Sequence, residues 1–236
     1  METKITTINT GPFGVNTYIV SLWENHVLVV DSAACSLTCD ENKVISYLKN
    51  RSLKPVMFLH THGHFDHVMG SAVLKKAWPN VPLCVHKEDE GMCGVNAAQV
   101  QGSSLAAMGL KEIAKGLEGL APADILFEGG ETLLSAMEAK GLLQDAEPEL
   151  KASLVQWKVL HTPGHTKGCV CFYNESEKIL LSGDTVFYHS WGRTDLEGGD
   201  EGQMMKSLVY IKNNVVPDAK VYPGHDYNGF MLAEGL

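Results

Sequence analysis

Residues 61–70 read THGHFDHVMG, and what this stretch needs around it decides the fold. Counting His60 just before it, four of the chain's ten histidines fall between positions 60 and 67. His62 and His64 flank a glycine, and Asp66 and His67 follow at once. The preceding PVMFLH, residues 55–60, is a short apolar run that reads as a buried strand. HVMGSAVLKKAW, residues 67–78, reads as a helix halted near Pro79. The cluster therefore sits in a turn at the carboxyl end of a strand, a favoured place for a site in α/β architectures. In extended chain, residues two apart point the same way, so His62 and His64 converge on one centre. Gly63 loosens the backbone, and the turn into the helix lets Asp66 and His67 form a second centre beside it.

Three further stretches share this grammar. HTPGHT (161–166), LLSGDT (180–185) and VYPGHD (221–226) place His165, Asp184 and His225 in glycine-containing turns just after apolar runs. With His62, His64, Asp66 and His67 these make seven candidate metal ligands. A single catalytic zinc takes three protein ligands and keeps one position open. Seven suit two cations roughly 3.5–4 Å apart that share a carboxylate and a water. His62, His64 and His165 are assigned to the first cation; Asp66, His67 and His225 to the second; Asp184 bridges. Donors of nitrogen and oxygen alone suit Zn²⁺, with Fe²⁺ or Mn²⁺ as alternatives.

Elsewhere the pattern predicts strands at TKITTINT (3–10), NTYIVSLW (16–23), HVLVVD (26–31), VPLCVH (81–86), SLVQWKVLHT (153–162), GCVCFY (168–173), KILLSGD (178–184) and AKVYPGHD (219–226). Helices are predicted over 40–51, 104–118, 131–143 and 200–214. Residues 91–150, rich in Gly, Ala, Met and Leu, read as a helical elaboration: a packing insertion first, with a lid or a homodimer surface as alternatives. The repeated order predicts one α/β domain over 1–236, with two β-rich halves packed face to face and helices outside.

Composition bounds the function. The chain has 236 residues, 44% hydrophobic and 20% charged, with a formal net charge of −9. An acidic balance argues against a large nucleic-acid footprint. No apolar run approaches the roughly 20 residues of a membrane span. The start, METKITTINTGPFG, lacks the basic and apolar stretches of a secretory signal. A cytoplasmic location is expected, and the six cysteines are read as reduced thiols.

THGHFDH, HTPGHT, LLSGDTVF, GRTD (192–195) and PGH (223–225) together make the chain resemble the metallo-β-lactamase superfamily in its glyoxalase II-like branch, from about residue 10 to 227. The resemblance implies an αββα four-layer sandwich of two mixed β-sheets with outer helices and the metals at one edge. It implies a binuclear hydrolase acting through a metal-bridging hydroxide on a small thioester such as S-lactoylglutathione, with Asp66 and Asp184 as catalytic groups. It places Asp31 beneath the ligands, where it orients an imidazole, and Asn16 and Tyr18 near the cleft. It offers Arg193 and Tyr227 as substrate contacts. Two departures stand out. Only eleven residues follow His225, where glyoxalase II enzymes carry a helical domain that helps hold glutathione, and HSWGRTD replaces the branch's GSIGRTD. The rival readings are a mono-iron persulfide dioxygenase on the same scaffold and a metal-binding module without catalysis. Of the remaining histidines, His60, His161 and His189 are expected to be hydrogen-bonded structural residues, and His26 and His86 surface or strand-end residues.

Overall fold

The computed structural model describes residues 3–236. Its first sheet runs in order through β1 (Ile5–Thr10), β2 (Val15–Ser21), β3 (His26–Val30), β4 (Lys54–Leu59), β5 (Leu83–His86) and β6 (Ile125–Phe127). The pairs β1–β2 and β2–β3 are antiparallel, and β3 to β6 are parallel. The second sheet holds β7 (Trp157–His161), β8 (Val170–Asn174), β9 (Ile179–Gly183), β10 (Lys220–Pro223) and β11 (Phe230–Met231) side by side. Only β9 and β10 are parallel there.

Side-chain alternation builds the layers. In β3, Leu28 and Val30 face one way and Val27 and Val29 the other, as the period of two requires. The first set meets Val159, Val170, Phe172 and Leu181 of the second sheet, so the two sheets close on one shared core. The second set packs against Val44 and Leu48 of α1 (Lys43–Asn50). The same outer layer takes Leu74 from beyond the short α2 (Phe65–Val68), in α3 (Ser71–Ala77). After the elaboration, which carries α4 (Ala97–Ala107), α5 (Leu133–Glu138) and α6 (Pro148–Leu154), the chain reaches α7 (Glu201–Asn214). There Met204, Leu208 and Ile211 cover the outer face of the second sheet. A last turn, α8 (Leu232–Gly235), ends the chain. The order helix, sheet, sheet, helix is the expected four-layer sandwich.

Some expected elements differ. The helix expected over 67–78 is two pieces, because the Gly70 amide donates to the Ser32 carbonyl at 2.8 Å and not to the preceding turn, in an approach that leaves no room for a Cβ. The strand expected from 153 starts only at Trp157, since α6 runs to Leu154. The helix expected over 104–118 lies earlier, as α4, and stops near Gly109, whose φ is +75°. Residues 91–150 are not wholly helical: β6 adds an edge strand to the first sheet, and three residues are too few to show a period. Leu133, Met137 and Leu150 from this segment, with Leu154 just beyond it, join the core between the sheets.

His60 departs from its expected role. It directly follows β4, is buried, and neither ring nitrogen has a hydrogen-bond partner. Burial holds its pKa down at about 4. The fold keeps the neutral ring, while the unfolded chain takes up a proton from about pH 6.5 downward. Stability present above pH 6.5 is therefore lost as pH falls towards 4. Between pH 7.5 and 5 we expect the wild type to lose about 2 kcal/mol more than His60→Phe. Urea unfolding of both proteins at the two pH values measures it; equal losses would refute it. His86 ends β5, the strand-end alternative of its expected placement, and is buried there, stacking on His161 with centroids 4.0 Å apart. His161 is hydrogen-bonded, to the Lys167 carbonyl at 2.8 Å. His189 is exposed, with φ +57°.

Candidate metal centre and cleft

The strand ends converge at one edge of the sandwich. β4 delivers His62 and His64, and the first turn of α2 delivers Asp66 and His67. His165 follows β7, Asp184 follows β9, and His225 follows β10. Three groups of donor atoms lie within 4.8 Å of one another: His62, His64 and His165; Asp66, His67 and His225; and His62, His67 and Asp184. The first two are the sets expected from sequence. The third shows that His62 also faces the second set. Asp184 stands between the two, with Oδ2 3.4 Å from His165 Nε2 and 3.7 Å from His225 Nε2, and Oδ1 3.5 Å from His67 Nε2. Asp66 Oδ2 lies 3.3 Å from His225 Nε2.

Two glycines make this approach possible. An added Cβ on Gly224 would sit 2.3 Å from Asp184 Oδ1 and 2.6 Å from His67 Cε1. On Gly63 it would sit 2.6 Å from the Met92 Cβ. Gly63 is thus required for space, where the sequence reading took it as backbone freedom.

Neighbouring groups determine which ring nitrogen faces inward. His165 Nδ1 must donate to the Arg193 carbonyl at 2.7 Å, which leaves Nε2 for the centre. Asp31 Oδ2 lies 3.1 Å from His67 Nδ1, close but off the ideal hydrogen-bond line. The same carboxylate accepts from the Thr61 amide at 2.8 Å and from Thr61 Oγ1 at 2.7 Å. That hydroxyl, having given its proton, accepts from His62 Nδ1 at 3.1 Å. Asp31 therefore holds His67 directly and His62 through Thr61, an arrangement that fixes tautomer and ring orientation. It does so from a left-handed backbone, φ +52°, which aspartate tolerates better than most residues. His64 presents Nδ1 instead, 2.7 Å from His165 Nε2.

The side chains of the site are themselves short of positive charge. Burial and neighbouring imidazoles push His62 and His64 well below the usual histidine range. Burial would also lower His67, but the carboxylates of Asp184, Asp31 and Asp66 outweigh it and raise His67 to about 10. Burial alone would raise Asp66; His67 and His225 reverse this and hold it below the ordinary carboxylate range. Protons are drawn into a cluster of carboxylates where a cation would fit. His62 Nε2 and Asp184 Oδ1 are buried without any hydrogen-bond partner. Such orphaned atoms in a nitrogen and oxygen donor set match a divalent cation.

Several residues that position this site escaped the sequence reading. Asp89, buried, accepts from the Gly63 amide at 2.8 Å, the Thr166 hydroxyl at 2.6 Å and the Gly168 amide at 2.8 Å. It ties the His62–His64 loop to the His165 loop. Its acidic surroundings, HKEDEGM (86–92), carry no motif that sets it apart. Gln101 of α4 donates to the Gly63 and Met92 carbonyls and accepts from the Phe65 amide, all within 2.9 Å. The 91–150 segment, expected first as plain packing, thus clasps the histidine loop.

Asn16 and Tyr18 hold the His225 loop. Tyr18 donates to the Pro223 carbonyl at 2.6 Å, and Asn16 Nδ2 to the carbonyls of Pro223 and Asp226, each at 3.1 Å. Burial pushes the Tyr18 hydroxyl up, so it stays a donor. Of the expected substrate contacts, Arg193 lines the cleft, and its guanidinium forks onto Asp195 with two 2.7 Å bonds. Tyr227 is 62% exposed and packs on Tyr188 and Phe230, while its neighbour Asp226 lines the cleft.

The donors open onto a cleft of about 430 Å³. Phe13, Phe65, Met108, Leu110, Phe187 and Leu196 wall it beside Asp66, His165, Asp184 and His225. Among the described residues, no helix is long and apolar enough to cross a membrane.

Comparison with known proteins agrees with this geometry. The profile of the Metallo-beta-lactamase superfamily matches residues 10–225. The chain is 28% identical to "Probable metallo-hydrolase YqgX" of Bacillus subtilis (strain 168), over 95% of this chain and 90% of that protein. It is 29% identical to "Hydroxyacylglutathione hydrolase" of Pelagibacter ubique (strain HTCC1062), over 85% of this chain and 65% of that one. Among solved structures, the BLEG-1 B3 metallo-beta-lactamase superposes with a TM-score of 0.77 at 24% identity, covering 98% of this chain and 95% of that one. TTHA1623 in a di-iron-bound form superposes at 0.70 with 26% identity, covering 97% and 95%.

Proposed function

Because the chain belongs to the metallo-β-lactamase superfamily, we propose that it is a thioester hydrolase of the glyoxalase II type, with two divalent cations held by His62, His64, His165, Asp66, His67, His225 and the bridging Asp184. The observation that carries this reading is the placement of Asp184 between two donor triads, within 3.7 Å of His165, His67 and His225, at the floor of an apolar-walled cleft. Zn²⁺ is the proposed metal, with Fe²⁺ or Mn²⁺ as alternatives. Cations held there acidify water towards neutral pH and polarise an acyl oxygen. The relatives' names support the class: one is a probable metallo-hydrolase, another a hydroxyacylglutathione hydrolase.

The chain's own residues supply the rest. Asp66, kept ionised by His67 and His225, accepts a hydrogen bond from the attacking water at the cleft edge. Asp31, Thr61 and the Arg193 carbonyl keep three imidazoles presenting Nε2. Phe13 and Phe65, edge to face at 5.4 Å, shield the cleft from bulk water. A thiol leaves readily as the thiolate, with a free pKa near 8.5, so no strong general acid is required. The substrate is a small-molecule thioester, with no nucleic acid involved.

The test loads metal-depleted protein with Zn²⁺, Fe²⁺ or Mn²⁺ and follows thiol release from S-lactoylglutathione and from simple acyl thioesters, with oxygen uptake measured alongside. We expect two equivalents of metal and thiol release without oxygen uptake. Oxygen-dependent turnover with a single iron would replace the reading with a dioxygenase. Failure on every thioester would remove it.

A further inference from the structure

A second cavity, of about 170 Å³, opens beside the cleft and shares His64, Phe65, Met108 and Leu196 with it. Its walls are apolar: Phe65, Met92, Val100, Leu105, Met108 and Leu196. Its polar side chains are already engaged. Gln101 is used at both ends by the histidine loop, and Asp89 accepts three hydrogen bonds. Ser104 donates to Glu197 at 3.4 Å. Besides these, His64 keeps its Nε2 as a single donor, since its Nδ1 faces the centre. The rim carries exposed Glu88 and Glu197 against one exposed cation, Lys167. An anionic arm, such as one bearing the carboxylates of glutathione, is repelled there.

We infer that this side chamber receives an uncharged, apolar arm of the substrate, on its acyl or its thiol side, about six carbons long. The inference rests on the thioester reading above and narrows it to a substrate class. Size sets the length: an apolar cavity of about 150 Å³ takes a benzene ring, and this one is slightly larger. Two of its walls are methionines, whose flexible side chains adapt to an aliphatic chain. The chamber adjoins His64, so an arm seated in it leaves the thioester carbonyl beside the donor triads. The elaboration supplies Val100, Leu105 and Met108, which makes it a specificity element.

The test uses metal-loaded protein and two series of neutral thioesters, one lengthening the acyl arm from acetyl to decanoyl, the other the thiol arm. In one series kcat/KM should rise about threefold to fivefold per methylene, as transfer of a CH₂ predicts, and level off near six carbons. Ser104→Phe, which projects a ring into the chamber, should bring the hexanoyl-to-acetyl ratio, or its thiol-arm equivalent, close to one at equal metal content. Independently, hexanoate but not acetate should shift the methyl NMR signals of Met92 and Met108 in the zinc-loaded protein. Thioester hydrolysis with no chain-length dependence in either series would overturn the chamber and leave the hydrolase reading standing. Shifted methionine signals without any thioester hydrolysis would keep the chamber and overturn the hydrolase reading.

Discussion

Asp184→Asn is expected to lower kcat/KM for thioester hydrolysis by at least about 10³-fold, or roughly 4 kcal/mol of transition-state stabilisation, and to cut metal content below two per chain. The carboxylate lies within 3.7 Å of imidazoles from both triads. Asparagine keeps its shape and one oxygen acceptor but loses the charge that two adjacent dications require. Because the swap is nearly isosteric at a site only 8% exposed, the fold should persist. Circular dichroism and metal analysis would then separate loss of the bridge from loss of structure. A variant with wild-type turnover and two metals would deny Asp184 its bridging role.

The largest effect on stability is expected at Asp89. Asp89→Ala strips the acceptor from the Gly63 amide, the Thr166 hydroxyl and the Gly168 amide. Each buried donor left unpaired costs about 1–3 kcal/mol, so a total of about 3–5 kcal/mol is expected after local relaxation. For a chain of this length that corresponds to a melting-temperature drop of about 10 °C. Gly63 lies between His62 and His64, and Thr166 follows His165, so the same change loosens all three ligands of the first triad. Supporting residues of this kind typically change metal affinity 10–100-fold. Asp89→Asn, which keeps one acceptor oxygen, should fall between wild type and alanine. Glu88→Ala, at an exposed neighbour, should stay within about 0.5 kcal/mol. Thermal melts and competitive zinc titration read both effects; an Asp89→Ala protein that matches wild type in both would show that the two loops hold themselves.

The candidate site was legible where a residue type is tied to a local turn. His62, His64, Asp66 and His67 lie within six positions, and HTPGHT, LLSGDT and VYPGHD each join a metal-competent side chain to an apolar run and a glycine turn. Asp31 was placed beneath the ligands only through the family resemblance, since an aspartate at the end of an apolar strand could equally be a plain turn residue. Asp89 and Gln101 were not legible. Their partners lie 26 to 79 and 9 to 38 positions away, and an acidic run or an Ala-rich segment looks the same whether it is solvated or clasping a loop. Arg193 was legible only in part: its charge suggested a substrate contact and it does line the cleft, but nothing local showed that its guanidinium is shared with Asp195 or that its backbone oxygen serves His165.

The amino-acid sequence by itself determined the donor set, the strand ends that carry it and the pairing of two sheets, because strand period, turn chemistry and ligand type are local properties written within a few residues. Tertiary structure alone decided which ring nitrogen each histidine presents, which buried acceptors lock the loops together, and that α4 shapes a side chamber beside the cleft. Those outcomes depend on distances between segments up to about two hundred residues apart, such as His64 with His165 and Asn16 with Pro223. Only packing of the closed sandwich sets such distances, and no short window of sequence encodes them.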